Sequence, residues 1–209
     1  MNKLLFNIIE VIKRKLFGFE DYLYEKRHSF DFGGIILQKN LVAENKESLM
    51  SATAYHAVWC YNVRKLISEA HKEEHSFENF IDRGSGKGKA CFFAKSRHLF
   101  KNIIGVEFSK PLVEIANRNK EKVTSDNIFF LNIDAVDYKL PSQSNLVFLF
   151  NPFDNLILEK FILNNLDNFK IYKSIIAYAN DLERASLFKL GFQTIFRDQT
   201  RKISLHKLL

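Results

Sequence analysis

Phe80-Ile-Asp-Arg-Gly-Ser-Gly-Lys-Gly-Lys89 joins an apolar run to a helix-forming run through three glycines at alternate positions, 84, 86 and 88. Residues 77–81 read as a short strand leading into this turn, and residues 90–100 read as a helix leading out of it. A strand, a glycine-rich turn and a helix N-terminus together make a site for a nucleotide-like ligand. Glycine lets the backbone bend tightly and lets a ligand approach without meeting a Cβ, while the first helical turn presents free N–H groups. A dinucleotide fingerprint is G-x-G-x-x-G, shaped around a pyrophosphate. Here the third glycine comes one residue early, and a carboxylate, Asp82, lies two residues before the first.

Outward from the turn the chain alternates. Strand 103–107 is followed by helix 110–122, with Leu112, Ile115 and Ala116 on one face, and by strand 128–133. Residues 146–150 are wholly apolar, as suits a strand at the centre of a sheet. Helix 156–169, strand 174–178 and helix 182–190, ended by Gly191, come next. Such alternation implies an α/β fold, a doubly wound, mostly parallel sheet with helices on both faces. The end of the chain departs from the rule. Strands 192–196 and 202–208 are separated only by Arg197 to Arg201, too little chain for a parallel crossover, so they form an antiparallel hairpin. Upstream, residues 52–70 read as a helix with Val58, Tyr61, Val63, Leu66 and Ile67 as its apolar positions. Near the start, Leu5, Ile8, Ile9, Ile12 and Leu16 follow helical spacing. That amphipathic helix is expected to pack on the domain rather than to attach to a membrane through Lys13-Arg14-Lys15.

The 209 residues suffice for one domain with a sizeable core. With 46% hydrophobic and 26% charged residues, 21 phenylalanines and 3 prolines, the composition is that of an ordered globular chain. The net charge of +7 permits an acidic partner such as nucleic acid or a membrane surface without demanding one. Arg83, Lys87, Lys89, Lys95, Arg97 and Lys101 run without an intervening acid, and they read as solvated surface cations rather than a nucleic-acid patch. Cys60 and Cys91 stand at unrelated positions, with no metal-ligand spacing around them, and are expected to be buried and reduced. The apolar N-terminal run is broken by Asn7, Glu10 and the basic cluster, so neither a transmembrane helix nor a signal peptide is expected and a cytoplasmic location is. No metal site and no Ser-His-Asp or Cys-His arrangement can be assembled from spacing.

Three more features fall at carboxyl ends of strands, where a doubly wound sheet binds its ligand. Glu107 ends Ile-Ile-Gly-Val-Glu and can accept hydrogen bonds from both hydroxyls of a ribose. Asp134-Ala135 ends Leu-Asn-Ile-Asp-Ala, and an acid there can accept from an adenine amino group. Asn151-Pro152-Phe153-Asp154 follows the fourth strand, beside the expected substrate cleft, with Asp154 suited to cap the next helix.

Together, Asp82-x-Gly84-x-Gly86-x-Gly88, Gly105-Val-Glu107, Asp134-Ala135 and Asn151-Pro-Phe153 resemble the ordered motifs of the class I, Rossmann-like S-adenosylmethionine-dependent methyltransferases. The likeness covers residues 50 to 209, and the wording of the motifs is similar to a bacterial branch with largely unassigned substrates. It implies a seven-stranded sheet with an antiparallel C-terminal hairpin strand. It also implies an N-terminal helical extension over 1–50 and a Rossmann-like methyltransferase domain over 51–209. By the resemblance, Gly84, Ser85, Gly86 and Gly88 lie against the methionine part of S-adenosylmethionine, with Asp82 and Asn151 alongside. Glu107 then holds the ribose, and Asp134 with Ala135 the adenine. The helix 52–70 resembles the element that covers the cofactor in relatives, with Tyr55 as its cleft residue.

Three features depart from the family pattern, one of them Lys89, which stands where this branch often has arginine. Arg83 stands where an apolar residue is usual, and it either salt-bridges locally or points at the cofactor's carboxylate. Asn151-Pro152-Phe153 resembles an Asn-Pro-Pro-aromatic motif that positions planar amino groups for methylation, but it has one proline. These three residues are the candidates for holding an acceptor amine or hydroxyl, whether of a small molecule, a protein or a nucleic acid. The alternatives are an NAD-dependent Rossmann oxidoreductase, since an acid after the second strand also suits the ribose of NAD, and a non-catalytic cofactor-binding module.

Overall fold

A computed structural model describes residues 3–42 and 45–209 of the chain. Helix α1 (Lys3–His28) is followed by a 3₁₀ turn, helix α2 (Lys46–Ser51) and helix α3 (Cys60–Glu73). The alternating part then runs β1 (Asn79–Arg83), α4 (Lys89–Lys95), β2 (Asn102–Glu107), α5 (Lys110–Lys120), β3 (Ile128–Asn132) and β4 (Asn145–Phe150). Next come α6 (Asn155–Asn164), α7 (Leu166–Ile171), β5 (Ile175–Ala179), α8 (Arg184–Lys189), β6 (Phe192–Asp198) and β7 (Ile203–Leu208).

The seven strands form one sheet in the order β3-β2-β1-β4-β5-β7-β6. β1 to β5 are parallel, and β7 runs antiparallel to both β5 and β6, as the short final connection requires. The chain reverses its order of strand placement between β1 and β4. Their carboxyl ends therefore flank the crevice where such sheets bind ligands.

Side-chain alternation builds two cores. Phe80, Ile103, Leu146 and Phe148 point to the face covered by α3 and α4, where Phe30 and Phe32 of the N-terminal segment join them. Ile81, Val106, Val147 and Leu149 point to the other face, covered by α6, α7 and α8.

Three expectations are corrected. Residues 52–59 are not the first half of a helix but an extended strap, and α3 begins only at Cys60. Its backbone is already engaged: Tyr55 N–H donates to Ile36 O at 2.9 Å and Thr53 N–H to Pro152 O at 3.1 Å. The expected helix 156–169 is two helices broken at Asn165. That side chain accepts from Leu140 N–H at 2.7 Å and donates to Phe161 O at 2.9 Å. Finally, α1 docks with its polar and aromatic side while its apolar residues Leu5, Ile8, Ile12 and Leu16 face outward.

Candidate functional site

β1 delivers Asp82 and the glycine turn to the head of the crevice. Gly84 N–H and Ser85 N–H both donate to Val106 O, at 2.8 and 3.1 Å, so the turn is stitched to the neighbouring strand. Gly84 and Gly86 have φ of 80° and 52°, a conformation that side-chain-bearing residues rarely adopt. Space forbids substitution as well. A Cβ on Gly84 would collide with the Pro152 ring, and one on Gly86 with the Tyr55 ring. Gly88 caps α4.

Around the turn stand buried acids. The Asp82 carboxyl is 3% exposed and takes one long contact, 3.8 Å, from the Cys91 thiol. Burial, reinforced by the nearby Glu107 charge, pushes its pKa up to about 8. Glu107 is aimed back over the turn. One carboxylate oxygen accepts from Gly86 N–H and the other from Ser109 N–H, both at 2.9 Å. Burial raises its pKa, and these backbone donors pull against the rise. Each oxygen keeps a second lone pair for a ligand hydroxyl.

Asp134 spends one oxygen on Val136 N–H at 3.0 Å in an Asx turn, while its Oδ2 is buried without a partner. Ser85 Oγ is likewise buried and unpartnered. Unmet buried acceptors and donors of this kind are costly unless something fills them. Two recesses connect these groups. One, with about 60 Å³ open, is lined by Tyr55, Asp82, Gly84, Ser85 and Glu107. The other, of about 370 Å³, is lined by Asn132, Ile133, Asp134 and Asp137. Phe108 borders both, so the two recesses are neighbours on either side of one aromatic ring. Phe108 is absent from the residues expected at the site, and its place directly after a strand-end acid is the one signal of it in the sequence.

On the β4 side, Asn151 takes up φ 42°, and its Oδ1 accepts from the Tyr178 hydroxyl at 3.1 Å. Its carbonyl accepts from Thr53 Oγ at 2.7 Å. Pro152 lines the first recess, but Phe153 is buried in the core between α6 and the sheet. Its ring is not presented to the crevice. His56, also lining the recess, packs edge-on against Phe150 at 4.7 Å.

Tyr55 is where the sequence put it, in the cleft, though on the strap rather than a helix. Its hydroxyl donates to Phe32 O at 2.8 Å and its ring covers Gly86.

Arg83 neither salt-bridges nor reaches the crevice. Being one residue after Asp82 on the same strand, it points to the opposite face. There it is fully buried, with its guanidinium 4.2 Å from the Phe161 ring centroid and 5.0 Å from that of Tyr138. Nη2 donates to the Ala135 carbonyl, while Nε and Nη1 have no partner. Burial holds its pKa down at about 9.

Lys87 and Lys89 are not solvated either. Lys87 Nζ donates to Asp31 and to Gly33 O, both at 2.7 Å, and Lys89 Nζ lies 2.9 Å from Asp21 and 3.3 Å from Glu25. The sequence reading missed that these motif lysines tie the glycine turn to the N-terminal segment.

A family model described as "Methyltransferase domain" matches residues 74–189, from just before β1 to the end of α8. The chain belongs to this methyltransferase family. Its strand order, closed by the antiparallel β7, is the Rossmann-like fold of the class I S-adenosylmethionine-dependent enzymes, and S-adenosylmethionine is the cofactor of that class. Solved structures agree on the fold. The methyltransferase is similar to a ribosomal protein L11 methylase from Lactobacillus delbrueckii subsp. bulgaricus, at 16% identity over 71% of this chain and 78% of that one, with a TM-score of 0.54. A magnesium protoporphyrin IX methyltransferase from Synechocystis, solved with bound S-adenosylmethionine, is similar at 13% identity over 72% and 79% of the chains, with a TM-score of 0.52. A putative methyltransferase from Escherichia coli gives 17% identity, 71% and 85% coverage and a TM-score of 0.54. No curated protein sequence matches the chain. Among the described residues, no helix is long and apolar enough to cross a membrane.

Proposed function

We propose that this methyltransferase binds S-adenosylmethionine along the two recesses and transfers its methyl group to an amine or hydroxyl of an acceptor held beside Asn151 and Pro152. One observation carries the reading: the glycine turn and the buried Glu107 carboxylate line one recess, the unpartnered Asp134 lines a second, and the two recesses meet at Phe108. These groups fit the cofactor part by part. Gly84 to Gly88, with Ser85 Oγ and Asp82, lie where the methionine end would rest. Glu107 has lone pairs for the ribose hydroxyls. Asp134 Oδ2 has one for the adenine amino group, with Ala135 beside it.

The cofactor supplies a sulfonium methyl already activated for direct displacement. The chain's work is then positioning, since holding the nucleophile in line can supply much of the rate gain. Asn151 Oδ1 is steadied by Tyr178 and keeps a lone pair that can accept an acceptor N–H or O–H. The buried Phe153 supports this turn from below rather than stacking on the acceptor. In this reading residues 51–209 are the methyltransferase domain and residues 1–50 an N-terminal helical extension to it. The two buried free thiols, Cys60 and Cys91, suit a reducing compartment and so the cytoplasm.

Isothermal titration with S-adenosylhomocysteine tests the cofactor site. The wild type is expected to bind, and Glu107→Ala to bind at least tenfold more weakly, since losing hydrogen bonds to a charged acceptor costs about 1.5–3 kcal/mol each. A wild type that leaves the titration flat would end the proposal. Incubating cell extract with methyl-labelled cofactor, then fractionating, identifies the acceptor as small molecule, protein or nucleic acid.

A further inference from the structure

α1 docks on the body of the protein with an unexpected side. Its four acids all turn inward: Glu10 pairs with Arg201, Glu20 with Arg64, and Asp21 and Glu25 with Lys89. Phe17 stacks on Tyr61 at 4.1 Å, and Tyr24 meets Phe93 edge-on at 5.5 Å. The apolar residues are left outside. Leu5, Ile8, Ile12, Leu16, Phe19 and Leu23, spaced by three and four, form one stripe along the 26-residue helix, each about half exposed or more. A contiguous exposed stripe of this kind marks an interaction surface.

The charges beside the stripe indicate what covers it. Lys13, Lys15, Lys26 and Arg27 are all exposed, with Lys13 also 3.2 Å from Glu10. By helical spacing, Lys15 and Lys26 border one edge of the stripe and Lys13 and Arg27 the other. Past the second edge, a cleft of about 380 Å³ between α1 and the α3–α4 face begins at Leu23 and is lined by Arg27, His28, Arg64, Ser96 and Arg97. Glu20 also lines it, but it is engaged by Arg64. Two copies meeting through this face would bring base against base along both edges. An anionic bilayer would take the stripe into its acyl boundary and set its phosphates against the bases.

We propose that α1 is an interfacial helix that seats the protein on an anionic lipid surface, with the stripe inserted and the Arg27–Arg97 cleft receiving headgroup phosphates. This does not depend on the methyltransfer reading. It replaces the expectation that the apolar side of α1 packs on the domain, because that side is the one the body leaves uncovered.

Co-sedimentation with vesicles of phosphatidylglycerol and phosphatidylcholine in equal parts tests it. At about 0.1 M salt the full chain is expected to pellet with these vesicles at least tenfold more strongly than with phosphatidylcholine alone, and to be released at about 0.5 M salt. Ile12→Glu with Leu16→Glu should abolish pelleting, and Lys15→Glu with Lys26→Glu should weaken it at least tenfold. Both pairs are solvent-facing, so circular dichroism and thermal melting should match the wild type. Equal binding to neutral vesicles, no binding to either, or binding that survives Ile12→Glu/Leu16→Glu would each overturn the proposal. So would a lipid-free dimer, seen by sedimentation equilibrium, that this variant dissolves, since the stripe would then belong to a second copy.

Discussion

Asp82 and Arg83 are neighbours in sequence and face opposite sides of the sheet, which separates their chemistry completely. Asp82 looks into the crevice, and Arg83 is sealed between Tyr138 and Phe161 with two donors unmet. A buried cation without an acid is expensive, and apolar replacements of buried charges are often neutral or stabilising. Arg83→Leu should therefore raise the thermal midpoint at neutral pH, by about 1–2 kcal/mol in stability. It also removes the donor from the Ala135 carbonyl, so S-adenosylhomocysteine binding should weaken severalfold. Loss of several kcal/mol on thermal melting would instead mean that the guanidinium is fully satisfied. The position of Arg83 was legible in principle from the alternation of a strand. The apolar run ends at Ile81, two residues before β1 does, so the run alone stops the alternation short of Arg83. Asp82, Glu107 and Asp134 needed no such care, because a polar residue after an apolar run marks a strand end by itself.

At the scale of elements, the β/α alternation was written in short apolar runs bounded by polar residues, and every strand of the sheet appears within two residues of its expected place. The elements misread are those whose backbone partners lie far away in sequence. Residues 52–59 bond to Ile36 and Pro152, and Asn165 reaches Leu140, none of which a local period reports. The C-terminal hairpin carries its own pH sensitivity. His206 on β7 is fully buried beside Ser204 and Thr194, and burial lowers its pKa to about 4. The folded state thus binds this proton less readily than the unfolded chain, whose histidine titrates near 6.5. Its contribution is fully present above about pH 6.5 and is lost as pH falls towards 4, up to about 3 kcal/mol. Urea melts should show stability falling between pH 7 and 4.5, with a shallower fall in His206→Gln. An unchanged slope in the variant would remove His206 as the cause.

Over the whole molecule, the N-terminal segment and the glycine turn are held together by buried ions. Lys89, the first residue of α4, lies under α1 between Asp21 and Glu25, and Lys87 is held by Asp31. Asp21→Ala leaves the buried Lys89 ammonium with Glu25 alone, at 3.3 Å, and should cost up to about 3 kcal/mol. Because Lys89 is at the turn itself, cofactor affinity should fall along with stability, as a titration at a temperature well below melting would show. Stability lost with affinity intact would mean that α1 and the turn are mechanically separate. The strap over the crevice has a comparable reach. Tyr55 covers Gly86 while Thr53, two residues before it, holds the carbonyl of Asn151 and the turn at Pro152. Under the proposed function, the same short stretch roofs the donor and braces the acceptor. Any displacement of this stretch would therefore disturb both seats at once.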